Sequence, residues 1–172
     1  MKGERGAAGI AAVLTVVAII AVIGVVMYLA YAQSNSETIV NSAISVVRDV
    51  TNTANQEYAR YAPTGLQDLT ADVFQKDFKY IPVYGGKTLA DYIGKGVSIS
   101  TDQPPTITIQ FAQFSNTYAR VLDDIRAKLG GDEITISFDT TQNKYVCNAK
   151  DTDTGNTVPC KGIGIIQSGS GS

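Results

Sequence analysis

The chain has 172 residues, 14 of them Lys or Arg and 16 Asp or Glu, with no histidine and no tryptophan. That length suits one ordinary domain, and a formal charge of −2 with no basic run argues against nucleic acid as a main partner. Without histidine the usual proton carrier and the commonest metal ligand are missing, and Ser-His-Asp and Cys-His nucleophile systems are excluded; we expect no enzyme, no catalytic residue and no cofactor.

The chain opens with a short charged leader over 1–6, MKGERG, and carries no charge from Gly6 to Ser36. Residues 7–32 are almost wholly apolar, more than the roughly 20 needed to cross a bilayer core. Lys2 and Arg5 precede the run and no positive charge follows before Arg48. That asymmetry keeps the amino terminus in the cytoplasm and carries the remainder across. The run is longer than the roughly 7–15 apolar residues of a signal peptide. Ala30-Tyr31-Ala32 nevertheless forms a small-x-small site, so a cut after Ala32 and a retained anchor are both open. Tyr28 and Tyr31 stand at the outer end, where aromatic residues favour the membrane interface.

The apolar run passes directly into a polar stretch over 33–62. Ile39, Val40, Ala43, Ile44, Val47, Val50, Ala54, Tyr58 and Tyr61 recur there at helical steps of three and four. No proline occurs before Pro63. The spacing predicts one helix from about Ala7 to about Ala62, apolar all round in its first half and amphipathic in its second.

Residues 63–167 read as a globular head. TLADYI makes one or two helical turns stopped by Gly94. VSIST and ITIQF alternate as strands. FSNTYARVLDDIRAKLGG reads as one inserted helix, capped by Ser115 or Asn116 and ended by Gly130-Gly131. Its apolar face is Tyr118, Val121, Leu122, Ile125 and Leu129. EITISF is a strand, TTQN a turn, KYVC a returning strand and GIGII a last strand, with 168–172 a flexible tail. The expected class is α+β: a long N-terminal helix, half transmembrane and half amphipathic, packed against an antiparallel sheet with one inserted helix.

Cys147 and Cys160 enclose a polar loop. If the head crosses the membrane it enters an oxidising compartment, where such a pair bonds. Two thiols without histidine make a poor metal site. Asp151 and Asp153 match the first two positions of a calcium loop, but Gly155 and Gly162 stand where further ligands belong. No metal is expected, with Asp151 and Asp153 as weak candidates.

The charged leader ending in Gly6, the uncharged run with Gly24 near its middle, the amphipathic half entering ARYAPTGLQDLTADVFQKDFKYIP, and the late KYVCNAKDTDTGNTVPCKG loop together resemble a type IV pilin. The connection after the helix is similar to the type IVb branch; the close cysteine pair looks more like type IVa. The resemblance implies cleavage by a prepilin peptidase between Gly6 and Ala7 and methylation of the new terminus. It also implies a place in the inner membrane, extraction by a pilus assembly machinery, and a helical homopolymer on the bacterial surface, with cell adhesion among the roles of such filaments. Ala11, Val17, Ile20, Gly24, Met27 and Tyr28 would then be assembly positions in the filament core. Where pilins carry a glutamate five residues past the cut, this chain has Ala11. A single-pass anchored domain that does not polymerise, or a secreted domain cut after Ala32, remains the alternative.

Overall fold

The computed structural model describes the backbone of residues 2–164 and the side chains of residues 15–27, 29 and 35–164. Helix α1 spans Lys2–Tyr61, so the expected helix is present and also takes in residues of the leader. It stops where the sequence says it must. Pro63 has no N–H with which to continue the ladder, and the Gly65 N–H closes the end by donating to the Tyr61 carbonyl at 2.9 Å. Contacts divide the chain into two compact units, the first ending at Thr38 and the second beginning at Ile39.

In the first unit the described apolar side chains of α1 are all exposed. Among the described residues no helix is long and apolar enough to cross a membrane. The outer parts of the apolar run, 7–14 and 30–32, lie outside the described side chains.

In the second unit α1 turns one stripe inward: Ile39, Val40, Ala43, Val46, Val47, Val50 and Ala54 are buried. The single polar member of the stripe, Thr51, satisfies itself by donating to the Val47 carbonyl at 2.8 Å. Helix α2 is Ala71–Asp77, and a small hairpin pairs β1, Pro82–Val83, with β2, Lys87–Thr88. A 3-10 turn at Leu89–Tyr92 is the expected TLADYI element. The main sheet is antiparallel throughout, in the order β3 (Val97–Ile99), β4 (Ile107–Gln110), β5 (Glu133–Asp139), β6 (Lys144–Lys150), β7 (Thr157–Pro159). Period-two alternation puts Ile107, Ile109, Ile134, Ile136, Tyr145, Cys147 and Ala149 on the buried face, in one core with the α1 stripe. The fold class is α+β.

Asn55 fastens helix to sheet. Strand β7 pairs only with Asn148–Lys150, so the backbone of Tyr145 on that side of β6 has no strand partner. The Asn55 side chain replaces one: its Oδ1 accepts from the Tyr145 N–H at 2.8 Å and its Nδ2 donates to the Tyr145 carbonyl at 3.2 Å. At the other end of the stripe, the Tyr84 N–H reaches Ser42 Oγ at 3.2 Å and Tyr118 Oη at 3.3 Å.

Two expectations are corrected. The inserted helix is two helices, α3 (Asn116–Ala119) and α4 (Leu122–Leu129). Val121, at φ −119° and ψ 16°, leaves the helical region between them, and α3 offers too few residues to sustain a turn beyond its own. Gly162–Gly164 is not a strand either. Instead the Ile163 carbonyl accepts from Arg48 Nε at 2.7 Å, and the last strand is β7, inside the cysteine loop. Residues 165–172, with the end of the expected strand and the tail, lie outside the described residues.

Candidate functional site

Two features stand apart from ordinary head packing: the apolar stretch of α1 and the loop closed by the cysteines.

On α1, Val17, Ile20 and Met27 expose 57%, 64% and 68% of their surface. Val16, Ile19, Val22, Ile23, Val25, Val26 and Leu29 are similarly exposed. Residues at every angle round the helix are included, so this is an apolar cylinder and not a stripe. Gly24 has nothing near its Cα where a side chain would stand. Contiguous apolar surface of this extent marks contact with lipid or protein. Gly6, Ala7, Ala11 and Tyr28 lie outside the described side chains.

The loop is built on β6. Cys147 and Cys160 form a disulfide, and the Cys160 N–H donates to the Cys147 carbonyl at 3.0 Å. Within the loop β7 pairs back on β6, Lys150 opposite Thr157. The turn between them closes through the Gly155 N–H to the Asp151 carbonyl at 2.7 Å, with Gly155 at φ 75°, a value glycine adopts freely. Below the disulfide the Lys161 N–H donates to the Leu129 carbonyl at 3.0 Å, tying the loop's exit to the end of α4.

The structure brings Asp151 and Asp153 together around a cation already in the chain. Arg126, on α4, places Nη1 at 2.6 Å from Asp153 Oδ2 and 3.0 Å from Asp123 Oδ1. Its Nε stands 3.3 Å from Asp132 Oδ1 and 3.8 Å from Asp151 Oδ1. Asp132 is 1% exposed, and Thr152 closes over it, donating its N–H to Oδ1 at 3.0 Å and its hydroxyl to Oδ2 at 2.8 Å. Burial alone would raise the Asp132 carboxyl. Bonds from the Thr152 N–H, Arg126 and the Thr152 hydroxyl outweigh it and hold the group below its ordinary value. Asp151 is also lowered, chiefly by the Asp153 N–H. The hydrogen bond to Asp132 raises Arg126. The guanidinium thus pairs with both acids of the calcium-like spacing; among the described residues no cluster is arranged to hold a metal ion.

Arg126, Asp132 and Thr152 were not among the residues singled out from the sequence. The one local signal is Asp132 itself, an acid directly after Gly130-Gly131 at a strand entry. Compared with protein-family models, curated proteins and solved structures, the chain matches none of them.

Proposed function

We propose that this chain is the structural subunit of an extracellular filament of the type IV pilus kind, which polymerises through the apolar part of α1. One observation carries the reading: the helix that supplies the buried stripe at Ile39–Ala54 also presents an apolar cylinder at residues 16–27 and 29. A domain with its own complete core has no packing use for that cylinder. Before assembly it would lie in the inner membrane; in the filament it would exchange lipid for the same segment of neighbouring subunits. Helices suit both surroundings because their backbone groups are bonded internally. Apolar area kept from water contributes roughly 25 cal/mol per Å² and is summed over many neighbours. The prepilin peptidase would cut between Gly6 and Ala7, and the stapled loop would sit on the outer surface.

Val17→Asp tests this. A carboxylate in an apolar helix core costs about 3 kcal/mol per copy. Filaments should disappear while the head still folds and still forms its disulfide. Filaments of normal abundance would overturn the reading. A second reading, a single-pass anchored domain that does not polymerise, is favoured by one feature, Ala11 in place of the family's glutamate. It requires wild-type cells to hold the protein in membranes with nothing released by shear.

A further inference from the structure

Residues 16–26 of α1 have a composition unlike that of a helix made to stand in water. Eight of the eleven are Val or Ile, the other three are Ala18, Ala21 and Gly24, and none carries a charge. Branching at Cβ restricts χ1 against the preceding turn, so Val and Ile are weak helix formers and strong strand formers. Gly24 weakens the helix further. The same residue types recur in the second unit at Ile39, Val40, Val46, Val47 and Val50, but there they lie in the core of the head and each is at most 6% exposed. In residues 16–26 the Val and Ile side chains are 48% to 64% exposed. Among the described residues the first unit contains only α1, so nothing within it covers them.

Two surroundings then favour two structures. In lipid, or among other helices, a lone segment bonds all its backbone groups only as a helix, and that requirement overrides the side-chain cost. In water the backbone has other partners and the requirement is lifted. An isolated helix in water is marginal even for good formers, and propagation from the covered half of α1 has to cross Gly24 and then the branched run. As a strand, the segment sets Val17, Ile19, Ile23 and Val25 on one face and Val16, Ile20, Val22 and Val26 on the other. Both faces are apolar, the pattern of a strand buried on both sides. Residues 16–23 contain no glycine, proline or charge, the signature of segments that stack with copies of themselves. The nearest charged residues along the chain are Arg5 and Glu37, so no charge flanks the run to keep copies apart.

We infer that residues 16–26 are a conditional helix: covered by lipid or by other helices they stay helical, and bared to water they pair as β-strands with the same residues of other copies. The inference rests on composition and exposure, and it applies to a filament subunit and to an anchored domain alike. It makes loss of cover a one-way step. A subunit has to pass from lipid to its neighbours without an interval in water, and a chain shed into water does not return to the helix.

The test uses the full chain purified in detergent, with the detergent withdrawn either into lipid vesicles or into plain buffer, and reads far-ultraviolet circular dichroism and the amide I infrared band. In vesicles the helix should be retained. In buffer at least eleven of the 60 residues of α1 should leave the helix, an intermolecular β band should appear and thioflavin T should bind. The tyrosine signal in the near ultraviolet should show the head still folded. Changing all eight branched residues to leucine (Val16→Leu, Val17→Leu, Ile19→Leu and so on to Val26→Leu) keeps the apolar surface and removes the branching. That chain should still come out of solution in buffer, but as helix without the β band. An unaltered chain that stays helical in buffer, dispersed or aggregated, overturns the inference. So does a β band in vesicles, or one of equal strength from the leucine chain. None of these results bears on whether filaments form, so the filament reading stands or falls separately by Val17→Asp.

Discussion

Arg126 Nη1 lies 2.6 Å from Asp153 Oδ2 across 27 residues of chain, and through that bond α4 holds the tip of the disulfide loop. The loop is thus fixed twice, covalently at its base and by a guanidinium at its turn.

Arg126→Ala should destabilise the head by roughly 3 kcal/mol, because it strands a buried carboxylate at Asp132. The thermal midpoint should fall by roughly 10 °C. Arg126→Lys should recover only part of this, since an ammonium cannot reach four acids with a planar fork. Chelator should leave the wild-type midpoint unchanged, because the Asp151 and Asp153 carboxylates are paired with Arg126. An Arg126→Ala head as stable as wild type would mean the cluster contributes nothing.

Acid should reproduce part of that loss. Asp132 titrates below its ordinary value of 3.8 in the folded head. Its contribution is therefore complete above about pH 4 and disappears as pH falls through the lower, folded value. At the alkaline end the sign reverses. Burial raises Tyr118 and Tyr145 above 10.0, so their contribution is complete below about pH 10 and fades as pH rises beyond it. Melting curves from pH 2 to 11 should show a plateau between these limits. In Arg126→Ala the acid limb should flatten, because the bond that helps hold Asp132 low has gone.

Reduction should lower stability by roughly 3 kcal/mol, the scale for a short closed loop. Because β5 and β6 pair along seven residues and β6 and β7 along only three, loosening should begin at β7. Amide exchange at Thr157 and Val158 should speed up on reduction while β4 and β5 stay protected. Uniform exchange across all five strands would show that the staple holds the whole sheet.

The helix and the long strands were legible in the sequence because their signals are local. Ile39 to Ala54 carry the helical period, and Ile134, Ile136, Tyr145 and Cys147 carry the strand period. The cysteine pair was legible from its number, two with no histidine beside them, and the disulfide joins both. What was not legible depends on partners far along the chain. Arg126 reads as a surface residue of an amphipathic helix until the fold brings Asp132, Asp151 and Asp153 around it. Strand β7 is three residues in a polar loop, and its pairing follows from the length of β6 and the staple, not from any period of its own. Ile163 has the apolar flanks of a strand, yet its carbonyl goes to Arg48. The break at Val121 has no glycine or proline to mark it.

The central claim, that α1 builds a filament, is tested most directly on protein sheared from the cell surface, by amino-terminal sequence and intact mass. The account predicts a sheared fraction that begins at Ala7 and carries one added methyl group. A fraction beginning at Gln33, or an intact Met1 form found only in membranes, would contradict it.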